Sequence, residues 1–314
     1  MNGRAKSSDQ MWAGLALLVV ANFFFAVGFS FAHYAGGRIS PWHLLFCRSL
    51  IYLFFLIPWA VAHPRQARGV NRGGLVLRGV LGTTMLSCMI FALSVVPLST
   101  GAALGKTTPL WAIFVLWALF SIPPTAVELT AVLVAVGGIL LVLHPQGHQH
   151  LGNVPLIGIV LALAAGFFNS LEFVTLRRIR QTDGANTINL WYAGVMLLVT
   201  LPLALTQPWP QKQSFLLIAI MFGISTLVGQ TLLAQSLRSV TATAASVATL
   251  LMPVFATVIG WMVFRQKLSA LELLGLALVI GAGTAVIFME NRRPRLSGLP
   301  AFRWQRAREG EGQD

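Results

Sequence analysis

Lys106 stands inside an apolar stretch, STGAALGKTTPLWAIFVLW, residues 99–117. Two chemistries are open to it. Gly105-Lys106-Thr107 has the form of a phosphate-loop ending, in which backbone N–H groups and a lysine cradle a nucleotide. That loop needs a glycine at position 100, where Thr100 stands; Gly101 is one residue out of register. The other chemistry is a cation held within hydrocarbon beside a helix break. An intramembrane charge costs several kcal/mol unless it faces water or a partner. Pro109 cannot donate to the carbonyl of Gly105, and Pro253 likewise frees that of Thr249. Such breaks are tolerated where backbone lines a cavity. Lys106 beside a loosened carbonyl is thus a candidate ligand for a substrate carboxylate; the competing reading is a lysine snorkelling to the outer headgroups.

Other polar residues fall in apolar runs. Asn169 and Glu172 are three apart and share a helix face. Glu172 also lies about one turn from Arg177 and Arg178. It reads either as an interfacial ion pair or as a carboxylate that carries a proton or meets a substrate amine. Asn22 is either packing glue or a cavity contact. Arg48 is deeper, and ranks after Lys106 as a ligand: it faces a cavity, or pairs with Glu172 or a carbonyl. Arg78, near a cytoplasmic end, is expected to snorkel. Gln230, Gln235 and Trp191-Tyr192 are weaker candidates, since Trp and Tyr near span ends commonly anchor at interfaces. Phe23, Phe24, Phe167 and Phe168 either wall a path or pack helices.

Several motifs read as structure. Thr125-x-x-Glu128 and Ser269-x-x-Glu272 match the capping box, in which the carboxylate meets orphan backbone donors at the positive helix end. His144, His148 and His150 lie in a polar loop, and Cys47 and Cys88 are isolated thiols in apolar runs; neither set makes a metal site. No HExxH, GxSxG or His–Cys constellation occurs, which argues against an enzyme. No cofactor motif is present.

The elements that must position these groups follow from composition. Of 314 residues, 56% are hydrophobic and 10% charged, against about 25% charged in soluble domains; mean hydropathy is +0.76. Such a chain is solvated by a bilayer. The net charge of +13 does not imply nucleic acid, because the arginines sit in short loops and the tail and form no groove motif. Ten apolar runs of spanning length are expected, at 12–33, 42–62, 74–94, 101–120, 126–144, 154–176, 186–206, 214–235, 241–264 and 270–289. With the N-terminus inside, fifteen Lys and Arg fall on the cytoplasmic side and four outside, consistent with both termini in the cytoplasm. The polar start, 1–11, leads into a retained first helix. The basic tail, 290–314, rests on anionic lipid or stays disordered.

Residues 109–138 align with 253–282 at an offset of 144, matching Pro109/Pro253, Trp117/Trp261, Phe120/Phe264, Glu128/Glu272 and Gly137/Gly281. The same offset pairs Phe23-Phe24 with Phe167-Phe168. Two five-helix units follow, 12–145 and 154–289. Five is odd, so the second enters the membrane from the opposite side, as in inverted-repeat carriers. The fold class is therefore an all-α membrane protein of ten helices in two inverted repeats.

This arrangement, with a Pro-containing fourth helix and a Glu-bearing fifth in each half, resembles the EamA family of the drug/metabolite transporter superfamily. The resemblance implies a basket-like bundle around a central cavity lined by helices one to four and six to nine. It also implies movement of small metabolites, often export of amino acids or their relatives. The expectation is a secondary exporter of a small polar metabolite in the inner membrane, such as an amino acid, an amino-acid-derived zwitterion or an opine-like metallophore. A proton is one candidate coupling ion, and monomer and homodimer both remain open. The alternatives are an importer of a vitamin or nucleotide-like metabolite, and an integral membrane enzyme.

Overall fold

A computed structural model of the chain describes residues 2–36, 38–120, 125–142, 155–180, 182–210, 213–236, 250–266 and 269–292. All regular structure among them is helical: α1 (Asn2–Ala35), α2 (Pro41–Ala62), α3 (Pro64–Ala67), α4 (Arg72–Leu93), α5 (Leu98–Gly105), α6 (Thr108–Phe120), α7 (Ala126–Val142), α8 (Leu156–Ile179), α9 (Ala185–Leu205), α10 (Gln213–Ser236), α11 (Leu251–Phe264) and α12 (Ala270–Arg292). Six segments are long and apolar enough to cross a bilayer: Trp12–Ala35, Pro41–Ala62, Arg72–Leu93, Leu156–Leu176, Ala185–Leu205 and Phe215–Leu233. Shorter apolar helices run over Ala126–Leu141, Leu251–Phe264 and Ala270–Ala285.

The expected fourth span is not one helix. It divides into α5 and α6, with Lys106 as the C-cap of α5 (φ −93°, ψ 12°). The chain resumes as a helix at Thr108, which puts Pro109 in the first turn, where its missing N–H has no helical partner to lose. Thr107 Oγ1 closes the gap by donating to the Leu104 carbonyl at 2.7 Å. Pro253 likewise lies in the first turn of α11. Residues 241–249 of the expected ninth span lie outside the described residues, as do His144, His148 and His150.

The spacing of 144 recurs in the element boundaries. α1 and α8 end at Ala35 and Ile179, and α2 and α9 begin at Pro41 and Ala185. α6 and α11 end at Phe120 and Phe264, and α7 and α12 begin at Ala126 and Ala270. Pro58 inside α2 and Pro202 inside α9 share the offset too.

The helix pairings obey the same exchange. α1 packs on α10 as α4 packs on α8, while α2 with α9 and α7 with α12 map onto themselves. Without a hydrophobic force between helices in lipid, small residues let backbones approach. A Cβ on Gly138 of α7 would meet the Gly275 carbonyl of α12 at 2.8 Å. One on Gly229 of α10 would meet the Ala21 carbonyl of α1 at 3.1 Å. The buried apolar clusters therefore join the two halves: one unites Ala32, Leu45, Leu86, Met196 and Phe222.

Candidate substrate-binding site

The deepest polar groups converge where α2 and α4 meet α8, α9 and α10. Arg78 of α4 donates from Nη2 to Glu172 Oε1 of α8 at 2.8 Å, with side chains 3% and 9% exposed. The Arg78 guanidinium lies 3.9 Å from the Tyr192 ring centre, and the same ring takes Arg48 at 5.1 Å. Arg48 stacks on Tyr52 at 4.3 Å. It also donates to Tyr52 Oη at 3.0 Å and Thr226 Oγ1 at 3.2 Å, and sets Nη1 3.3 Å from Met196 Sδ. Tyr52 in turn donates to the Thr226 carbonyl at 2.9 Å. Guanidinium on aromatic faces, with hydroxyls filling its donors, is a low-cost way to hold a cation away from water.

The site is incompletely satisfied. Glu172 Oε2 and Arg78 Nε and Nη1 are buried with no hydrogen-bond partner. Lys106 approaches from the α5–α6 break, half-buried and within electrostatic reach of Glu172. Asn169 is tied to the same break through Thr108, Nδ2 to Oγ1 at 2.9 Å. Gly166 of α8 backs the break so closely that a Cβ there would meet Thr107 Oγ1 at 2.6 Å.

Three sequence expectations are corrected. Arg78 does not snorkel: it is 2% exposed, and its partner is an interior carboxylate. The ion partner of Glu172 among the described side chains is on α4. The periodicity that places Glu172 near Arg177 and Arg178 says nothing of which neighbouring helix is closer. Tyr192 is 3% exposed and central, not an interface anchor, whereas Trp191 donates to the Ala67 carbonyl at 3.0 Å.

The remaining residues lie around this centre. Asn22 of α1 is buried, Nδ2 donating to the Leu18 carbonyl at 2.8 Å and Oδ1 unmet. Gln230 is half-buried on α10, one turn beyond Thr226 on the same face, and Gln235 is exposed. Phe23 meets Phe24 and Phe255 edge-on, and Phe167 meets Trp111 and Phe168. Far from the cluster, Thr125 N donates to Glu128 Oε2 at 2.7 Å and Glu128 N to Thr125 Oγ1 at 3.3 Å. Ser269 and Glu272 make the same pair of bonds at 2.8 and 3.2 Å.

Sequence reasoning missed Tyr52 and Thr226, and it also passed over a second feature at one end of the bundle. The Asp183 carboxylate accepts from Val70 N at 2.7 Å, Asn71 N at 3.1 Å and Thr182 Oγ1 at 2.8 Å. Thr187 donates to the Gln66 carbonyl at 3.0 Å. The α3–α4 loop is thereby latched onto the α8–α9 loop. Burial alone would raise the Asp183 pKa, but these donors outweigh it and hold the carboxyl below its ordinary value.

The 144-residue offset relates the members of the central cluster to one another. It pairs Arg48 with Tyr192, Tyr52 with Met196 and Gly82 with Thr226. It also pairs Glu172 with Gly28, Arg78 with Phe222 and Lys106 with Leu250. The contacts repeat as well. A Cβ on Gly82 would lie 2.9 Å from Tyr192 and 3.2 Å from Glu172. Thr226, its mate, takes the Arg48 Nε hydrogen bond, and its Cγ2 lies 2.9 Å from where a Gly28 Cβ would stand. One local geometry is built twice, and the charged side chains are not.

Comparison with known proteins agrees with this architecture. A pseudopaline exporter, CntI, of Pseudomonas aeruginosa (strain UCBPP-PA14) is 27% identical over 287 residues, 88% of this chain and 97% of that protein. An S-adenosylmethionine uptake transporter of Rickettsia prowazekii is 23% identical over 261 residues, 82% of this chain and 87% of its own. A solved crystal structure superposes with a TM-score of 0.58 at 18% identity, covering 91% of this chain and 99% of its own, which bears on the fold alone. The model of the EamA-like transporter family matches residues 12–144 and 156–289, so the chain is a multi-pass membrane transporter, not an enzyme, and belongs to that family.

Proposed function

We propose that this chain is a secondary exporter of a small polar metabolite, working by alternating access of two inverted five-helix halves in the inner membrane. Both termini face the cytoplasm, in keeping with the bias of Lys and Arg. The substrate is an amino-acid-derived compound of the opine kind, as the similarity to a pseudopaline exporter favours. The observation that carries the reading is the Arg78–Glu172 pair. It is buried and unfinished, and it joins a helix of the first matched segment to a helix of the second. An ionisable pair inside a bundle is costly to keep and marks a substrate or ion path. In an inverted repeat such a site at the seam can be reached from each side in turn.

Each residue has a role in this cycle. Lys106 and Arg78 receive an anionic group, and Arg48, with Tyr52 and Thr226, holds the opposite wall. Asn169 fixes the α5–α6 break, and Asn22 and Gln230 offer amides along the path. Glu172 carries the coupling proton: protonation of Oε2 weakens its hold on Arg78.

The test is flux in proteoliposomes. Labelled metabolites, opine-type compounds among them, are expected to move down an imposed gradient, with movement slowed at least tenfold in Lys106→Ala and Arg78→Gln. Equal flux in both variants removes the cluster from the mechanism. A second reading, uptake, is favoured by the similarity to an S-adenosylmethionine uptake transporter. Right-side-out and inside-out vesicles under a proton gradient separate the two directions.

A further inference from the structure

The charges of the central cluster do not balance. Arg48 and Arg78 are 4% and 2% exposed and Lys106 is half-buried, while Glu172 is the one carboxylate among them. Nine acidic residues exist in the whole chain. Glu128 and Glu272 are engaged at helix N-termini, and Asp183 is in the loop latch. The other five, Asp9, Glu290, Glu309, Glu311 and Asp314, lie near the chain ends. No other acidic residue stands within a described span, so the cluster keeps a surplus of two positive charges. Isolated ions in a medium of low dielectric are strongly disfavoured unless paired.

The fold contains its own control for whether these charges are needed for packing. At the positions related by the 144-residue offset, the other half places Tyr192, Phe222 and Leu250 opposite the three cations, and Gly28 opposite Glu172. Phe222 is 0% exposed and Leu250 3%. Uncharged side chains fill the equivalent sites, so helix packing does not call for cations there. The unmet atoms point the same way: Arg78 Nε and Nη1 are buried donors without acceptors.

We propose that the substrate is a net dianion, carrying two carboxylates beyond any that its own amine balances, and that one of them meets the open Nε and Nη1 of Arg78 beside an ionised Glu172. This rests on the carrier reading above and narrows its substrate class, setting aside a neutral zwitterion. Glu172 is then a resident counter-ion. Facing Arg78 of α4, Arg48 of α2, Lys106 at the α5 end and Tyr192 of α9, it offsets one of the three cations and leaves two for the substrate. The second substrate carboxylate meets Lys106. The Tyr192 ring meets both guanidiniums without neutralising either.

The experiment uses purified full-length protein in detergent and three probes: alanine, N-(carboxymethyl)alanine and N-(carboxymethyl)aspartate, with net charges near 0, −1 and −2 at pH 7. Affinity is expected to rise on the order of tenfold with each carboxylate added, since charge-assisted hydrogen bonds are the strong ones. Arg78→Gln is expected to lose one such step, and Glu172→Gln to bind the dianion about tenfold more tightly with a flattened pH profile. Should Arg78→Gln fail to fold, the wild-type series decides alone. Alanine binding as tightly as the dianion overturns the inference and leaves the carrier standing; so does binding by none of the three. The expected charge order without flux of any labelled metabolite in proteoliposomes instead supports the anion site and overturns the carrier reading.

Discussion

Removing Glu172 should cost the folded protein more than removing Arg78, although the two form one ion pair. Taking one partner from a buried pair costs roughly 3–5 kcal/mol, because the other charge is left uncompensated. The two ends are not equivalent here. In Arg78→Gln the Glu172 carboxylate keeps Arg48 and Lys106 within electrostatic reach, which places the cost near the low end, about 3 kcal/mol. In Glu172→Gln three cations face one another with no carboxylate, so the high end applies, about 5 kcal/mol. The double variant has no broken pair, and its cost should fall short of the sum by about 2–3 kcal/mol, the upper range for coupled neighbours. Reversible unfolding by SDS titration in mixed micelles measures all four corners of the cycle. Additivity within about 0.5 kcal/mol, or Arg78→Gln proving the costlier single change, refutes the electrostatic account.

Gly82→Ala would place a methyl 2.9 Å from Tyr192 and 3.2 Å from Glu172, an overpacking worth about 1–3 kcal/mol; flux and SDS stability should both fall. Gly73→Ala on the same helix meets nothing within 4 Å and should be neutral or stabilising by up to about 1 kcal/mol. Asp183→Asn should loosen the α3–α4 loop by about 2 kcal/mol, since hydrogen bonds to a charged group are lost, read as faster deuterium exchange over residues 66–71. Because the folded Asp183 pKa is lowered, the latch is fully stabilising above the ordinary carboxylate value, about 3.9. It weakens as pH falls below that value, so exchange in this loop, corrected for intrinsic rate, should accelerate only there. Thr125→Ala should cost α7 about 1 kcal/mol of capping, seen as exchange confined to its first turn.

Periodicity and length carried most of the helices, because twenty apolar residues have few other outcomes in a chain so poor in charge. The expected ends at 62, 94, 176 and 206 fall within a few residues of those of α2, α4, α8 and α9. Composition did not reveal the division of the fourth span, although Pro109 marks a break there: Leu98–Phe120 is apolar throughout apart from Lys106 and its Ser and Thr neighbours, and the bonds that Thr107 donates to the Leu104 carbonyl and Thr108 accepts from Asn169 escape any apolar count. For the site, sequence reasoning found the ionisable residues but not their partners. Arg78 and Glu172 are 94 positions apart, and each has a nearer plausible companion along the chain: the headgroups for one, Arg177 and Arg178 for the other. Tyr52 was legible from its spacing, four residues after Arg48 and so on the same helix face, whereas Thr226 carried no signal, since a threonine within an apolar helix is an ordinary residue. Only the packing of α2 on α10 brings Thr226 to Arg48.

The asymmetry of the charges bears on how the proposed cycle could run. Arg78 is six residues into α4 and Glu172 seven residues from the end of α8. At 1.5 Å per residue both lie about 10 Å from that end of the bundle. The same end carries the Asp183 latch, which also crosses from the first matched segment to the second. Two contacts therefore hold one seam, α4 against α8 and α9: a carboxylate on backbone amides at the rim and a carboxylate on a guanidinium further in. At the related seam, α1 against α10, Gly28 and Phe222 occupy the inner positions and no ion pair forms among the described residues. Opening toward the latched end must then part opposite charges, whereas opening at the related seam parts apolar surfaces and the hydrogen bonds from Arg48 and Tyr52 to Thr226. A bundle of like-shaped halves would otherwise open with similar ease on either side. Placing the Arg78–Glu172 pair on one seam makes one of the two openings depend on what Arg78 is bound to, so a proton on Glu172 or an anion on Arg78 can change the energy of that opening and leave the other nearly untouched.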